Sequence, residues 1–399
     1  MTPPTAGQVL AGTVVDDHAV AADYPDARRV AMRALQLWPD FRWTTQELVS
    51  FTARDVLVTS AFVPIDTRRS RMFLNQSYSG VETIFPTRFR VEEGRYRLEG
   101  TPVPCPGRHI VLGGPIDGVW YHWLFNWCPR LLLLGQLRPD LLACADLRIA
   151  VHPLALREPY RAVLDSFGLP AERFLVLDPG RDHLLEEACL VSFLDQNRLY
   201  PEMIRAFAAH LLAAWGLDGA GDPGPGPARG PLAAIVRRFA GPNLGARGPA
   251  PGAAPRGLFA SRQDLPAPKR RIANFEEVAP VLARFGLDVV ACGGLPAREQ
   301  ARLFRSARVV VGGHGSDLSN LLFCRPGTRV LVFESRFSVE AFLHRGLEQL
   351  CALLGLDYVL KIVPTDGEAG PGAGTQARIN QDYRIDPDDL ARTLAALTR

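Results

Sequence analysis

Long apolar runs, paired cysteines and a dominant charge are all missing from this chain. No stretch approaches the roughly 18 apolar residues that cross a membrane, and the longest, around Leu131–Leu134, falls far short. No membrane span is expected. The opening residues, Met1 to Gly7, carry no basic segment followed by an apolar core, which argues against a secretory leader. The seven cysteines, at 105, 128, 144, 189, 292, 324 and 351, are odd in number and none forms a CxxC pair. That pattern speaks against a disulfide framework or a zinc site. It fits reduced, mostly buried thiols in a cytoplasmic protein. With 45 basic and 42 acidic side chains the formal net charge is +3, so bulk electrostatics gives no reason to expect a nucleic-acid partner. No Gly-x-Ser-x-Gly elbow surrounds Ser316, which disfavours a serine hydrolase.

What is present is ordinary globular material, 47% hydrophobic and 22% charged over 399 residues, enough for two cores. Ala, Gly, Pro and Arg abound, as in a high-GC bacterial coding bias. Three regions are expected: an N-terminal α/β domain over 1–215, a Gly/Pro/Ala-rich linker over 216–257, and a C-terminal α/β domain with a terminal helix over 258–399. Short strand-like pieces near 56–59, 89–91 and 96–98 suggest a β-containing N-terminal extension. Strand and helix patterns then alternate, as in parallel sheets with crossover helices. In such sheets ligands bind beyond the carboxyl ends of the strands.

Three features fall at expected strand ends of the C-terminal half: Ser261-Arg262, Gly312 to Ser316, and Glu334. In the second, a β-branched run stops at Gly312, Gly313, His314 and Gly315, and a helix pattern begins at Ser316. Glycines permit positive φ and close approach of a ligand, and a helix start offers N–H groups to an anion. Ser316 is read as the N-cap. A phosphate or diphosphate suits the loop, with His314 bonding a phosphate oxygen or a sugar hydroxyl. Asp317 would repel a diphosphate, so it is expected to point away, cap the helix or bond a sugar hydroxyl. Arg262 and Arg271 carry planar forks for phosphate oxygens, whereas Lys269 and Arg270 read as solvated surface. Asn274 and Glu277 have capping-box spacing, and Glu334 can accept two ribose hydroxyls.

The N-terminal half has its own dense segment, from Asp117 to Arg130, with Trp120, Trp123 and Trp127 inside eight residues. On a helix His122 and Asn126 share a face. Trp120 and Tyr121 offer aromatic faces for a sugar, and Arg130 an anchor for the helix end or a phosphate. Buried core is the alternative reading of these aromatics.

Together these segments resemble the family 61 glycosyltransferases. The first stands as Tyr121-His122-Trp123-Leu124-Phe125-Asn126-Trp127-Cys128-Pro129-Arg130-Leu131. The second runs from Gly312 through Asn320 and Phe323 to Pro326-Gly327-Thr328, with Glu334 after it, and is preceded by Ser261-Arg262 and Arg270-Arg271-x-x-Asn274. The resemblance implies a GT-B-like fold of two Rossmann-like domains facing a cleft, donor on the C-terminal one and acceptor on the N-terminal one. It implies inverting transfer, without a bound metal or cofactor, from a UDP- or GDP-linked sugar to a glycan or small-molecule hydroxyl, as in polysaccharide biosynthesis. Two positions depart from the family pattern. Asn126 replaces its usual Asp and cannot serve as a general base, leaving His122 and Asp117 as candidates. Asp317 replaces a small residue. The alternative is a catalytically inactive nucleotide-sugar-fold binding or scaffold protein. Oligomeric state is not legible.

Overall fold

Apolar runs bounded by Gly and Pro become parallel strands in both halves of the chain. The computed structural model describes residues 8–15, 17–37, 42–60, 62–73, 89–90, 94–98, 100–113, 119–194, 198–219, 256–265, 269–340, 345–367 and 374–398. Their backbone divides into two units, one ending at Phe207 and the other beginning at Ala208.

In the first unit the main strands are β1 (Arg28–Gln36), β2 (Trp43–Val58), β3 (Val103–Leu112), β4 (Leu147–Val151), β5 (Phe174–Val176) and β6 (His183–Val191). They run in the order β5-β4-β3-β6-β2, with β1 on the far side of β2. The first four are mutually parallel, an order of 3-2-1-4 in chain sequence, as in a Rossmann half. β2 joins antiparallel to β6 and to β1. The sheet is therefore mixed. Of the strand pieces expected as an extension, the one near 56–58 lies in this sheet, whereas Phe89–Arg90 and Val9–Ala11 both pair with Arg95–Arg97 in a separate three-stranded antiparallel sheet. Leu57, Val58, Ile110, Leu112, Ile149 and Val151 are fully buried, as befits strands covered on both faces.

After β3 the chain forms a helical turn (Trp120–His122), a π-helical segment (Trp123–Trp127) and helix α1 (Pro129–Leu137). Pro129 has no N–H to return to Phe125, so the preceding turn widens, and the Cys128 amide reaches the Trp123 carbonyl five residues back at 3.1 Å. The sequence pattern of one continuous α-helix misses this. Helix α2 (Pro201–Ala214) straddles the division between the units. Its residues from Ala208 on belong to the second unit, within which Arg298 Nε donates to the Trp215 carbonyl at 2.9 Å and the Trp215 ring packs on Phe323. The expected linker falls mostly outside the described residues.

The second unit contains β7 (Arg256–Ser261), helix α3 (Phe275–Arg284), β8 (Leu287–Ala291), helix α4 (Ala297–Ser306), β9 (Ala307–Gly313), β10 (Arg329–Ser335), helix α5 (Arg345–Leu354), β11 (Asp357–Val363) and helix α6 (Pro387–Leu397). Its five strands are all parallel, in the order β8-β7-β9-β10-β11. That is 2-1-3-4-5, the flavodoxin-like doubly wound order, whose switch point lies between β7 and β9. Val310, Val311 and Val330 to Phe333 are buried without alternation because the central strands are covered on both faces. Val278, Leu282, Leu390 and Leu394 bring α3 and α6 onto one core. Between β9 and β10 the expected α-helix is a 3-10 helix, Ser316–Phe323.

All seven cysteines are free, and six are buried. No helix among the described residues is long and apolar enough to cross a membrane.

Candidate active site

The β7–β9 switch point brings together Arg262, His314 and Asp317. Arg262 leaves the carboxyl end of β7, and His314 and Gly315 leave that of β9. Arg262 is buried: its Nε donates to the Lys269 carbonyl at 2.8 Å, and its Nη1 pairs with Asp317 Oδ2. Burial pushes the Asp317 carboxyl above its ordinary range, and the Arg262 charge opposes that rise. Asp317 thus does not turn away; its carboxylate pairs with the guanidinium set aside for phosphate and also accepts its own backbone N–H at the helix start.

None of Gly312, Gly313 and Gly315 has the positive φ expected of it. Close approach of the protein itself demands glycine there. A Cβ on Gly315 would stand 2.1 Å from Arg262 Nη1, and one on Gly313 3.0 Å from the Tyr383 ring. Ser316 is the first helical residue, not the N-cap; Gly315 holds the cap position, without a side-chain bond. The first N–H groups of this helix still lack intrahelical acceptors, as at any helix start.

Glu334, at the end of β10, is fully buried with both oxygens engaged. Oε2 accepts from His314 Nδ1 and Oε1 from the Tyr383 hydroxyl at 3.2 Å. Burial would raise its pKa, but the His314 bond and charge, with the Ser338 and Tyr383 bonds, outweigh burial and hold it low. An ionised carboxylate only accepts, so His314 Nδ1 is the donor. The bonds seen at Glu334 orient His314 and Tyr383, and the ribose contact expected of it gains no support from its full burial.

Arg271 donates through Nε to Asp382 at 3.1 Å, and Asp382 also takes the Lys269 and Arg271 amides at 2.9 Å each. Asn274 makes no capping box. Its amide brackets Ile385, giving to the carbonyl at 2.7 Å and accepting from the N–H at 3.0 Å. Asn320 is buried, its Nδ2 held by Gln300 and by the Asp317 carbonyl; it fixes the 3-10 helix to α4. The residue that the sequence reading undervalued is Arg270. Its backbone is left-handed, at φ 62°, and its buried Nε has no hydrogen-bond partner among the described residues. Burial, then the neighbouring Arg262, lowers its pKa, while Tyr383, Glu334 and Asp317 oppose. Tyr383 was missed as well; no motif spacing links it to Glu334.

In the first unit a second cluster lies beyond the β3–β6 switch point. His122 Nδ1 is 2.7 Å from Asn126 Oδ1, and Asn126 Nδ2 donates to the Leu194 carbonyl, just past β6. One turn on, Arg130 Nη2 donates to the Val191 carbonyl at 2.5 Å. Arg130 and Asn126 are buried and committed to this strand end. Burial lowers the His122 pKa, against the Asn126 bond. Trp123 and Trp127 are core, and Trp120 is buried edge-on against Tyr160. Tyr121 keeps a partly exposed ring beside Phe125. Asp117 lies outside the described residues.

A separate cavity of about 760 Å³ in the first unit is lined by Arg54, Arg68, Arg69, Arg108, Arg138, Asp26 and Glu187, among others. Its arginines are answered by carboxylates: Glu187 takes Arg54 and Arg108, and Asp26 takes Arg138. None of the candidate residues lines it. Among the described residues no group of three His, Cys, Asp or Glu is placed to hold a metal ion.

Residues 120–331, more than half of the chain, match the family model described as Glycosyltransferase 61. The chain belongs to glycosyltransferase family 61. The match covers both clusters, from Trp120 and His122 to His314, and stops just before Glu334. Among solved structures the chain is similar to the dodecameric, iron-containing heptosyltransferase TibC in complex with ADP-D-β-D-heptose. The identity is 14%, the cover 85% of this chain and 82% of that one, and the TM-score 0.26. No curated protein matches. As a family 61 member the chain is a glycosyltransferase with a sugar donor and an acceptor.

Proposed function

We propose that this protein is an inverting, metal-independent, GT-B-like glycosyltransferase that uses a nucleotide-linked sugar, with UDP or GDP as the leaving group. One observation carries the reading. The second unit places two buried or half-buried arginines, Arg262 and Arg270, and an open helix start at the switch point of a doubly wound parallel sheet. Positive charge held ready where a diphosphate would leave stabilises a transition state that develops negative charge there. Arg270 takes the diphosphate oxygens together with the Gly315 and Ser316 amides, and Arg262 adds its Nη2, the guanidinium nitrogen that neither the Lys269 carbonyl nor Asp317 holds. His314, oriented by Glu334, bonds phosphate or sugar. Arg271 is a further candidate for the phosphate, its Nε held by Asp382 as that of Arg262 is by the Lys269 carbonyl.

On the acceptor side His122 is the base and Tyr121 a surface for the sugar ring. The acceptor oxygen bonds to the anomeric carbon as its proton passes to His122. The bond from that carbon to the diphosphate breaks, and its electron pair leaves with the nucleotide. Bacterial polysaccharide synthesis in the cytoplasm, with a glycan or small-molecule acceptor, is part of the same reading.

A screen of nucleotide sugars by thermal shift, followed by transfer and donor-hydrolysis assays, tests it. A specific donor raises Tm by binding the native state. No shift with any nucleotide sugar, and no turnover, counts against it. Asn126 motivates a second reading, a binding protein that has lost catalysis. Transfer or hydrolysis that disappears in His122→Ala excludes that reading.

A further inference from the structure

We propose that Asn126 is a positioning residue that holds His122 as its Nδ1–H tautomer and so reserves Nε2 as the basic nitrogen. The inference rests on the reading of His122 as the acceptor-side base. It follows from what each atom can do. The Leu194 carbonyl only accepts, so the Asn126 atom bonded to it is the NH2 group. That choice turns Oδ1 toward His122, 2.7 Å from Nδ1. An amide oxygen also only accepts, so Nδ1 carries the proton. A neutral imidazole has one N–H, and its lone pair is then on Nε2. Burial disfavours the imidazolium.

The alternative amide orientation sets Oδ1 against the Leu194 oxygen, two acceptors face to face. Asn126 is 1% exposed, so bulk solvent does not relieve that contact. Elsewhere an asparagine in place of a triad aspartate turns its NH2 to the histidine and selects the wrong tautomer. Here the carbonyl beyond β6 forbids that turn. An aspartate at 126 would place a carboxylate oxygen against the same carbonyl. Asparagine therefore keeps the acceptor that the Nδ1 proton needs and drops only the charge. The departure at this position is thus compatible with a working base.

Nitrogen-15 NMR of the histidine rings tests this, with the His122 signals assigned by their loss in His122→Gln. The wild-type protein is expected to show a protonated Nδ1 and an unprotonated Nε2 at neutral pH. Asn126→Leu, which fills the space without an acceptor, is expected to lose that preference and to lower kcat by about 10²-fold, with donor KM unchanged. A wild-type Nε2–H tautomer, or an Nδ1–H tautomer that survives in Asn126→Leu, overturns the proposal. The wild-type spectrum decides even where the variant fails to fold. If the tautomer is as stated but His122→Ala retains full transfer, the base reading fails and the tautomer assignment stands.

Discussion

Replacing Gly315 with alanine isolates the Arg262–Asp317 pair from backbone effects. Gly315 has φ 175° and ψ 171°, an extended backbone that alanine adopts freely. Its new Cβ would stand 2.1 Å from Arg262 Nη1 and 2.8 Å from Cζ, so the guanidinium must move. With side chains 7% and 18% exposed, Arg262 and Asp317 have little room to re-form the pair elsewhere. The charged hydrogen bond forfeited is worth about 1.5–3 kcal/mol. Lower entropy of the unfolded chain returns about 0.4–1 kcal/mol. The net expectation is a loss of about 1–2 kcal/mol, read as a lower urea midpoint at pH 7 with unchanged slope. Asp317→Asn removes the reason for the loss. In the double variant the Gly315→Ala effect should shrink, with a coupling of at least about 0.5 kcal/mol. A wild-type midpoint for Gly315→Ala, or strict additivity in the cycle, refutes the argument that glycine is required here to seat Arg262.

Other outcomes follow from the same geometry. Arg270→Gly relieves a left-handed residue and should leave stability within about 1 kcal/mol of wild type; UDP or GDP affinity by titration calorimetry should still fall about tenfold. Glu334→Gln should destabilise most at neutral pH. The Glu334 pKa is depressed in the folded state, so its stabilisation is present above the unfolded carboxylate range and fades as pH falls through the folded value; denaturation at pH 7 and pH 4 checks it. His109, His122, His152, His183 and His210 have pKa values lowered foremost by burial, His210 to about 4. The unfolded state binds more protons below the ordinary value of 6.5, so stability should decline as pH falls from there toward 4; a flat profile by chemical denaturation contradicts it. Burial raises the Cys189 thiol to about 11 and the Cys351 thiol to about 12. A thiol reagent at pH 8 should therefore label the partly exposed Cys144 quickly, and the other six only after denaturation.

Local patterning carried most of the second unit into view. Its strands are apolar runs closed by Gly, Pro or a charge, as where the β-branched run of β9 stops at Gly312. The first unit was harder. β1, β2 and β6 mix Arg, Glu and Thr with apolar residues because they lie in the antiparallel half of the sheet or border it, and part of each is exposed, as at Arg33, Glu47 and Glu186. The π-helical turn escaped because one proline's missing N–H, rather than a period, creates it. At the site, positions were legible and partnerships were not. Strand-end logic found Arg262, His314 and Glu334. It did not find that Asp317 neutralises Arg262, or that Tyr383, 49 residues from Glu334, takes its second oxygen. Arg270 was set aside as surface because its left-handed backbone and buried Nε have no sequence signature.

The central claim is that a nucleoside diphosphate binds at the carboxyl ends of β7 and β9. Isothermal titration of UDP and of GDP into the wild-type protein and into Arg262→Ala tests it most directly, with circular dichroism confirming that the variant is folded. The expected result is binding of at least one nucleotide by the wild type and affinity lower by about tenfold or more in the variant, a change of about 1.4 kcal/mol. No binding of either nucleotide, or equal affinity in a folded Arg262→Ala, contradicts the account.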